Sequence, residues 1–492
     1  MAIIHRALAA RQRKRVLRPS LARKQGRFPV LTRIAREAAG WLLIAAIFYA
    51  PWDFGGTSAS GIRHLNWMLG GVVGLCLVSL TISSGRRRFW SWWLFGISIL
   101  LLIMGWGMAL NAHGIFDADY RVFTSLSSPW AAGPGSADYA LSLASVRRLS
   151  LLIGCVWAVA ALVQNPRILL RLLWAVGLAG GSIALLGLLQ KATGAEMIFW
   201  ASREPGEPPV STFFATFYYH GNAGAYLNLA LPAVVGLAYR YTTRQANPAV
   251  RALWLTLLLI MIVAVLSDTS RMGQFIAVVM LPALIVLSAA TIFRRIRKSE
   301  PRIIAIALVV GIFTLWAIVR VSHLDQSLGR WEDFRQSWSN DARWVVDRAA
   351  IAALPEAGWF GFGPGTFAAV FPHFNSDPRA SGSWLFLHND LLQTAMEWGW
   401  AGALLWGVFF FGGIVVAFLG LVNRRRARAW LARQRLAIVL SVIALIGVGL
   451  HALVDFPLQI YSIQLYTAVY LGICWGSICW GECERQAPLS NS

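Results

Sequence analysis

The residues best equipped for chemistry lie in His388-Asn389-Asp390, followed by Gln393 and then by Glu397-Trp398-Gly399. An imidazole titrates near neutral pH and suits a general base, which must stand within reach of the proton it removes. Spacings of three and four put Asp390, Gln393 and Glu397 on one helical stripe. His388 stands nine residues before Glu397, about 13 Å along a helix at ~1.5 Å per residue, so the two cannot hold one proton. A lone histidine at a membrane rim is ordinarily a solvated or hydrogen-bonded side chain, and only its surroundings recommend this one.

Four other groups carry polar chemistry in an apolar chain. Ser267-Asp268-Thr269-Ser270-Arg271 is a very short link between two apolar runs, and an arginine there needs an anion. Asp268 can supply it, or Arg271 can await a phosphate, which its planar fork suits. Arg343 has Asp347 four residues on, so it forms either an i,i+4 salt bridge or part of an anion site. Arg147 and Arg148 can add to that site or snorkel from a helix end. Tyr218-Tyr219-His220-Gly221-Asn222-Ala-Gly224 opens another apolar run; aromatic belts explain the tyrosines, while His220 and Asn222 beside two glycines suggest close approach to a sugar. His451 and Asp455 are one turn apart and read first as a satisfied buried pair. Asp117-Ala-Asp119 matches a minimal metal-binding pattern that many loops contain by chance.

What must position these groups is a membrane domain. Of the 492 residues, 57% are apolar and 13% charged, with a mean hydropathy of +0.58, whereas a soluble chain carries about 25% charged residues. Apolar runs long enough to cross a hydrocarbon core of about 30 Å recur throughout. They fall at 38–54, 64–84, 89–110, 145–164, 172–190, 221–239, 252–267, 272–293, 303–320, 386–421, 436–455 and 459–480. The net charge of +22 is concentrated in runs such as Arg86-Arg87-Arg88 and Arg424 to Arg435. With the basic tail inside, every such cluster falls on one side, as cytoplasmic loops require. The expectation is an all-α polytopic protein of about twelve transmembrane helices, both termini cytoplasmic, with a large extracytoplasmic loop between helices 9 and 10.

The chain then divides into a basic tail (1–37), helices 1–9 (38–320), the loop (321–385), helices 10–12 (386–482) and a short second tail (483–492). The first tail carries eleven basic side chains and one acid, Glu37. It reads as a topology anchor or an anionic-lipid contact rather than a nucleic-acid binder or a secretory signal. In the loop, Trp331, Phe334 and Trp338 recur at helical spacing on a surface helix, and a second helix runs from about Asn340 to Leu354. Pro355 and the turn Gly361-Phe362-Gly363-Pro364-Gly365 then break the chain. Cys76, Cys155, Cys474, Cys479 and Cys483 imply no disulfide framework, and Cys479 with Cys483 is a weak metal signal. No internal repeat of the transporter kind is evident.

In order and topology, these motifs resemble the O-antigen ligase and polymerase family of bacterial envelope glycosyltransferases. The likeness rests on Tyr219-His220-Gly221-Asn222, Thr269-Ser270-Arg271, Arg343 ahead of Gly361–Gly365, His388-Asn389-Asp390 to Glu397-Trp398-Gly399, and His451 to Asp455-Phe456. It spans about 210 to 460. The resemblance implies transfer of a glycan from a polyprenyl-diphosphate carrier to a lipid or glycan acceptor hydroxyl at the outer face of the bacterial cytoplasmic membrane, without cofactor, metal or nucleic acid. It implies that Arg271 and Arg343 hold the diphosphate, that His388 assists the acceptor hydroxyl, and that the anomeric configuration inverts. Arg147, Arg148, Tyr219, His220, Asn222, Asp390 and Glu397 are the further candidates for substrate binding. Polymerisation of repeat units is the near alternative, and a membrane transporter the alternative of another class.

Overall fold

The computed structural model describes residues 29–82, 91–120, 122–202, 213–243, 247–296, 341–380 and 382–480, with isolated positions at 309, 329 and 331–332. Its helices are α1 (Pro29–Trp52), α2 (Ala59–Ile82), α3 (Trp92–Leu110), α4 (Tyr139–Leu162), α5 (Pro166–Ala192), α6 (His220–Thr243), α7 (Pro248–Ser267) and α8 (Arg271–Ile296). After them come α9 (Ala342–Ala357), α10 (Asp390–Val422), α11 (Ala432–His451) and α12 (Tyr461–Gly476). Eight of these (α2 to α5, α7, α10, α11 and the helix beginning at Tyr461) are long and apolar enough to cross a membrane. Together they make an all-α polytopic membrane protein. Helices stand at eleven of the twelve expected positions; the run at 303–320, Phe334 and Trp338 lie outside the described residues.

The bundle is sorted by what each helix touches. Large apolar side chains of α3 and α10, among them Trp93, Ile103, Leu404, Phe411 and Leu419, are exposed. In lipid this costs nothing, because the tails are as apolar as the side chains. Residues 220–234 of α6 and nearly all of α12 are buried instead. Only such enclosed helices can carry polar groups cheaply. Asn228 of α6 donates to the Gly273 carbonyl of α8 at 2.7 Å, and the Tyr226 and Tyr466 hydroxyls meet at 2.9 Å. Helix α6 also packs on α5, α7, α8 and α11, which makes it the axis of the bundle.

Several boundaries differ from expectation, and each shift has a capping or turn residue behind it. Asp138 accepts the Leu141 N–H at 2.6 Å, so α4 begins six residues early and Arg147 and Arg148 lie in its third turn rather than at its end. Asn389 caps α10 by accepting the Leu392 N–H at 3.1 Å, which leaves His388 ahead of the helix. Helix α11 stops at His451, so Asp455 belongs to a connection and not to a helical turn. Pro355 does not end α9: it lies in the last turn, and Gly358 at φ 59° terminates the helix. The loop after α3 adds a hairpin that an all-α reading omits, with Gly114–Asp117 paired antiparallel to Val122–Ser125. Asp117 closes it by accepting the N–H groups of Asp119 and Tyr120, so that the Asp-x-Asp pattern is a turn signature.

A crossing of two backbones fixes the end of the bundle where α9 lies, called here the rim. The chain after α9 passes over α10 with Trp400 N–H on the Gly358 carbonyl, Ala401 N–H on that of Trp359, and Gly363 N–H on that of Glu397. Gly361 (φ 79°) and Gly399 (φ 63°) meet there. A β-carbon on either would strike the other strand's backbone, so the site demands two glycines and α10 opens at Gly399.

Candidate functional site

At the rim, three separated stretches meet on one carboxylate. His388 Nδ1 lies 2.9 Å from Asp455 Oδ1, and the Tyr219 hydroxyl donates to Asp455 Oδ2 at 3.0 Å. Arg343, in the first turn of α9, donates to the Tyr219 oxygen at 3.1 Å. His451 Nε2 is 3.8 Å from Asp455 Oδ2, an electrostatic neighbour beyond hydrogen-bonding reach. Rings enclose the imidazole: Phe456 at 4.9 Å, Trp384 at 5.7 Å and Tyr219 at 6.0 Å between centroids. Asp455 is buried, while His388 keeps 15% of its side chain exposed and bonds no described residue through Nε2.

The electrostatics follow from this geometry. Burial disfavours the Asp455 charge, but hydrogen bonding from His388 and the two imidazoles outweigh it and hold the carboxyl far below the usual range. Burial and the adjacent Asp455 charge raise the Tyr219 phenol, so it stays a donor to the carboxylate. Burial works against the Arg343 charge, yet Tyr219, Asp455 and Asp341 more than restore it. Arg343 therefore turns to Tyr219 and not to Asp347, so the i,i+4 salt bridge is absent. Burial lifts the Asp347 carboxyl to about 6, against the opposing pull of His388 and Arg343.

Two further candidates hold the scaffold of this site. Asp390 accepts from the Leu458 N–H and from Gln459 Nε2, both at 2.8 Å, and its own N–H donates to the Ala452 carbonyl. It therefore pins both ends of the 452–460 connection that carries Asp455. Glu397 accepts from Gly365 N–H at 2.8 Å, Gln393 Nε2 at 3.0 Å and Phe367 N–H at 3.3 Å. It fixes the Gly361–Gly365 turn.

The remaining candidates are dispersed. Arg271 opens α8 beside the first turn of α6, with Gly224 and Gly273 in close contact between the two helices. His220 rests on the Tyr219 ring at 4.7 Å, and Asn222 is buried in the first turn of α6. Arg147 is exposed. Arg148 lies over the Tyr461 ring at 5.9 Å and lines a largely apolar cavity of about 580 Å³ among α4, α10, α11 and α12.

The sequence reading missed two things. Asp455 serves His388 more closely than His451, and only a fold that returns residue 455 to residue 388 reveals it. Lys191 at the end of α5 donates to the Ser267 carbonyl at 2.6 Å, bringing a cation beside the Asp268 link. Its flank of Leu-Leu-Gln190 gave no signal.

Fold and site together define a multi-pass membrane protein with a polar, histidine-bearing site at the rim of the bundle. Residues 256–407 match the family described as O-antigen ligase, which supports assigning that segment to it. The matched stretch contains Arg271, Arg343, the Gly361–Gly365 turn, His388 and Glu397, but neither Tyr219 nor Asp455. No curated protein matches the chain.

Proposed function

We propose that the protein transfers a glycan from a polyprenyl-diphosphate carrier to an acceptor hydroxyl at the outer face of the bacterial cytoplasmic membrane. The observation that carries this reading is the His388–Asp455 pair: a buried carboxylate holds Nδ1, leaving Nε2 as the atom turned to substrate. His388 Nε2 takes the proton of the acceptor hydroxyl as that oxygen bonds to the anomeric carbon. The bond from this carbon to the diphosphate oxygen breaks, and its electron pair leaves with the diphosphate. Arg343 at the site provides fixed positive charge where the negative charge develops, and Arg271 at the start of α8 adds to it as the donor's diphosphate binds. Attack opposite the leaving group inverts the anomeric configuration. The apolar cavity beside the 452–460 connection offers room for a hydrocarbon chain, in keeping with lipid-linked substrates.

A polymerase of the same family would run the same chemistry with another lipid-linked glycan as acceptor. A transporter would need polar groups across the bundle's middle, whereas Asp390, Glu397, His388 and Asp455 gather at one end. The deciding experiment is deletion of the gene and complementation with wild type, Arg271→Ala, Arg343→Ala or His388→Ala at equal protein levels. Lipid-linked glycan and finished surface polysaccharide are both measured. All three variants are expected to lose surface glycan; normal glycan in all three sinks the reading. Accumulated single repeat units indicate a polymerase, and accumulated long lipid-linked chains a ligase.

A further inference from the structure

Asp347 stands on α9 one turn beyond Arg343, and residues three or four apart on a helix present their side chains on one face. The face is anchored next to the imidazole: Val346 and Ala350 of α9 pack in one cluster with Leu387, and Trp384 rests against it. Asp347 is within electrostatic range of both His388 and Arg343. Its Oδ1 is shut off from solvent yet accepts no hydrogen bond, a condition that buried carboxylate oxygens seldom tolerate. Arg343, the obvious partner, is engaged with Tyr219 instead. The site thus keeps one acceptor-only group with open capacity next to its base.

We infer that Asp347 is a substrate-binding residue of the acceptor subsite, where its carboxylate accepts a hydrogen bond from a second hydroxyl of the acceptor glycan. An ionised carboxylate has lone pairs and no proton to give. It repels a diphosphate, so the anionic end of the donor belongs nearer Arg343 and Arg271. A sugar hydroxyl neighbouring the one that His388 deprotonates is a donor of the matching kind. The acceptor class this implies is a glycan with at least two hydroxyls in reach of each other, and not an isolated hydroxyl such as a serine side chain. The inference rests on the glycosyl-transfer reading above.

The test is steady-state kinetics of the full-length protein in nanodiscs, with lipid-linked glycan extracted from its host as donor. Octyl glycosides of glucose, galactose and mannose, and their monodeoxy analogues, serve as acceptor probes beside the host's own acceptor fraction. Asp347→Ala is expected to raise acceptor KM about tenfold to a hundredfold, the loss typical of a hydrogen bond to a charged group. Donor KM and kcat at saturating acceptor stay near wild type, and Asp347→Glu restores part of the affinity. One monodeoxy probe should lose the same factor with wild type and nothing further with Asp347→Ala. Unchanged acceptor KM in Asp347→Ala overturns the inference, as does a rise in donor KM instead. Absence of any transfer by wild type refutes the underlying reading, which is thereby told apart from failure of this residue's role. Melting temperatures of the variants show whether a loss reflects unfolding.

Discussion

Two carboxylate-centred regions sit within a few residues of each other at the rim, and they are bonded differently. Around Glu397 and Asp390 the donors are mostly backbone N–H groups: Gly365 and Phe367 for the first, Leu458 for the second, each helped by one glutamine amide. Around Asp455 two of the donors are the side chains of His388 and Tyr219, brought from sequence positions 67 and 236 residues away. Backbone donors cannot leave, so the first region fixes chain paths. Side-chain donors keep other atoms, and in the second region His388 Nε2 and Asp347 Oδ1 remain without described partners. A polar residue taken out of water in a membrane protein is costly unless its hydrogen bonds are met. On the proposed reading, what separates scaffold from reaction site is whether its bonding capacity is already used.

Breaking the reactive region should give the largest effect on rate with little effect on stability. His388→Ala is expected to cut turnover by about a hundredfold to ten-thousandfold, the usual range for a general base. Asp455→Asn should come close to it, because an amide in that place favours the wrong imidazole tautomer. Initial-rate measurements on purified protein check both, with the melting temperature as control. A His388→Ala protein that turns over within threefold of wild type would erase the distinction between the regions.

Breaking the scaffold region should do the opposite. Glu397→Gln puts an amide NH2 where three donors converge, leaving at least one buried N–H unsatisfied at about 1–3 kcal/mol. The expected result is less folded protein and a lower melting temperature, with the folded fraction retaining near-wild-type acceptor KM. Asp390→Asn should behave alike, since it loosens the connection that carries Asp455, though some loss of rate follows from that displacement. Fluorescence-detected gel filtration after graded heating reads both.

How far this contrast was legible in the sequence depends on range. Membrane spans rest on local composition, so helices appeared at almost every expected position, and the i,i+4 stripe of Gln393 and Glu397 forms a real contact of 3.0 Å. His388, Arg343 and Tyr219 were singled out by type and neighbourhood, and the fold joins them. The sequence could not show which groups are saturated. Asp390 and Glu397 look as reactive as His388 until the backbone N–H groups of distant loops arrive. Asp455 was assigned to His451 because helical periodicity was extended four residues too far, past the end of α11 at His451. The Asp-x-Asp pair, read as a pattern that loops contain by chance, fits a turn in which Asp117 accepts from its own backbone.

Tyr219 joins the charges of the reactive region, and its removal sharpens the comparison at moderate scale. Tyr219→Phe keeps the ring stacked on Phe456 at 5.3 Å but deletes the hydroxyl between Arg343 and Asp455. Arg343 then keeps only the longer-range attraction of Asp455 and Asp341, and about a tenfold loss is expected, falling mainly on donor KM. An effect on kcat alone would mean that the phenol serves His388 and not Arg343.

The smallest effect is on stability against pH, read at Asp347 apart from its effect on acceptor KM. Its carboxyl is raised by burial to about 6 in the fold, against about 3.9 for an unfolded aspartate. The native state therefore binds the proton more tightly than the unfolded state does, and the charged form costs stability once pH passes above the unfolded value. Below pH 4 both states are protonated and nothing is lost; through pH 4 to 6 the penalty grows, and above 6 it is complete. The group is only half-buried, so solvent screens the penalty to a small amount. Asp347→Asn should accordingly melt a degree or two higher than wild type at pH 8 and identically at pH 4. That pattern would mark a group kept at some cost to the fold, as expected of a side chain whose partner arrives with the substrate. Equal melting at both pH values would instead place Asp347 with the saturated carboxylates, on the scaffold side of the divide.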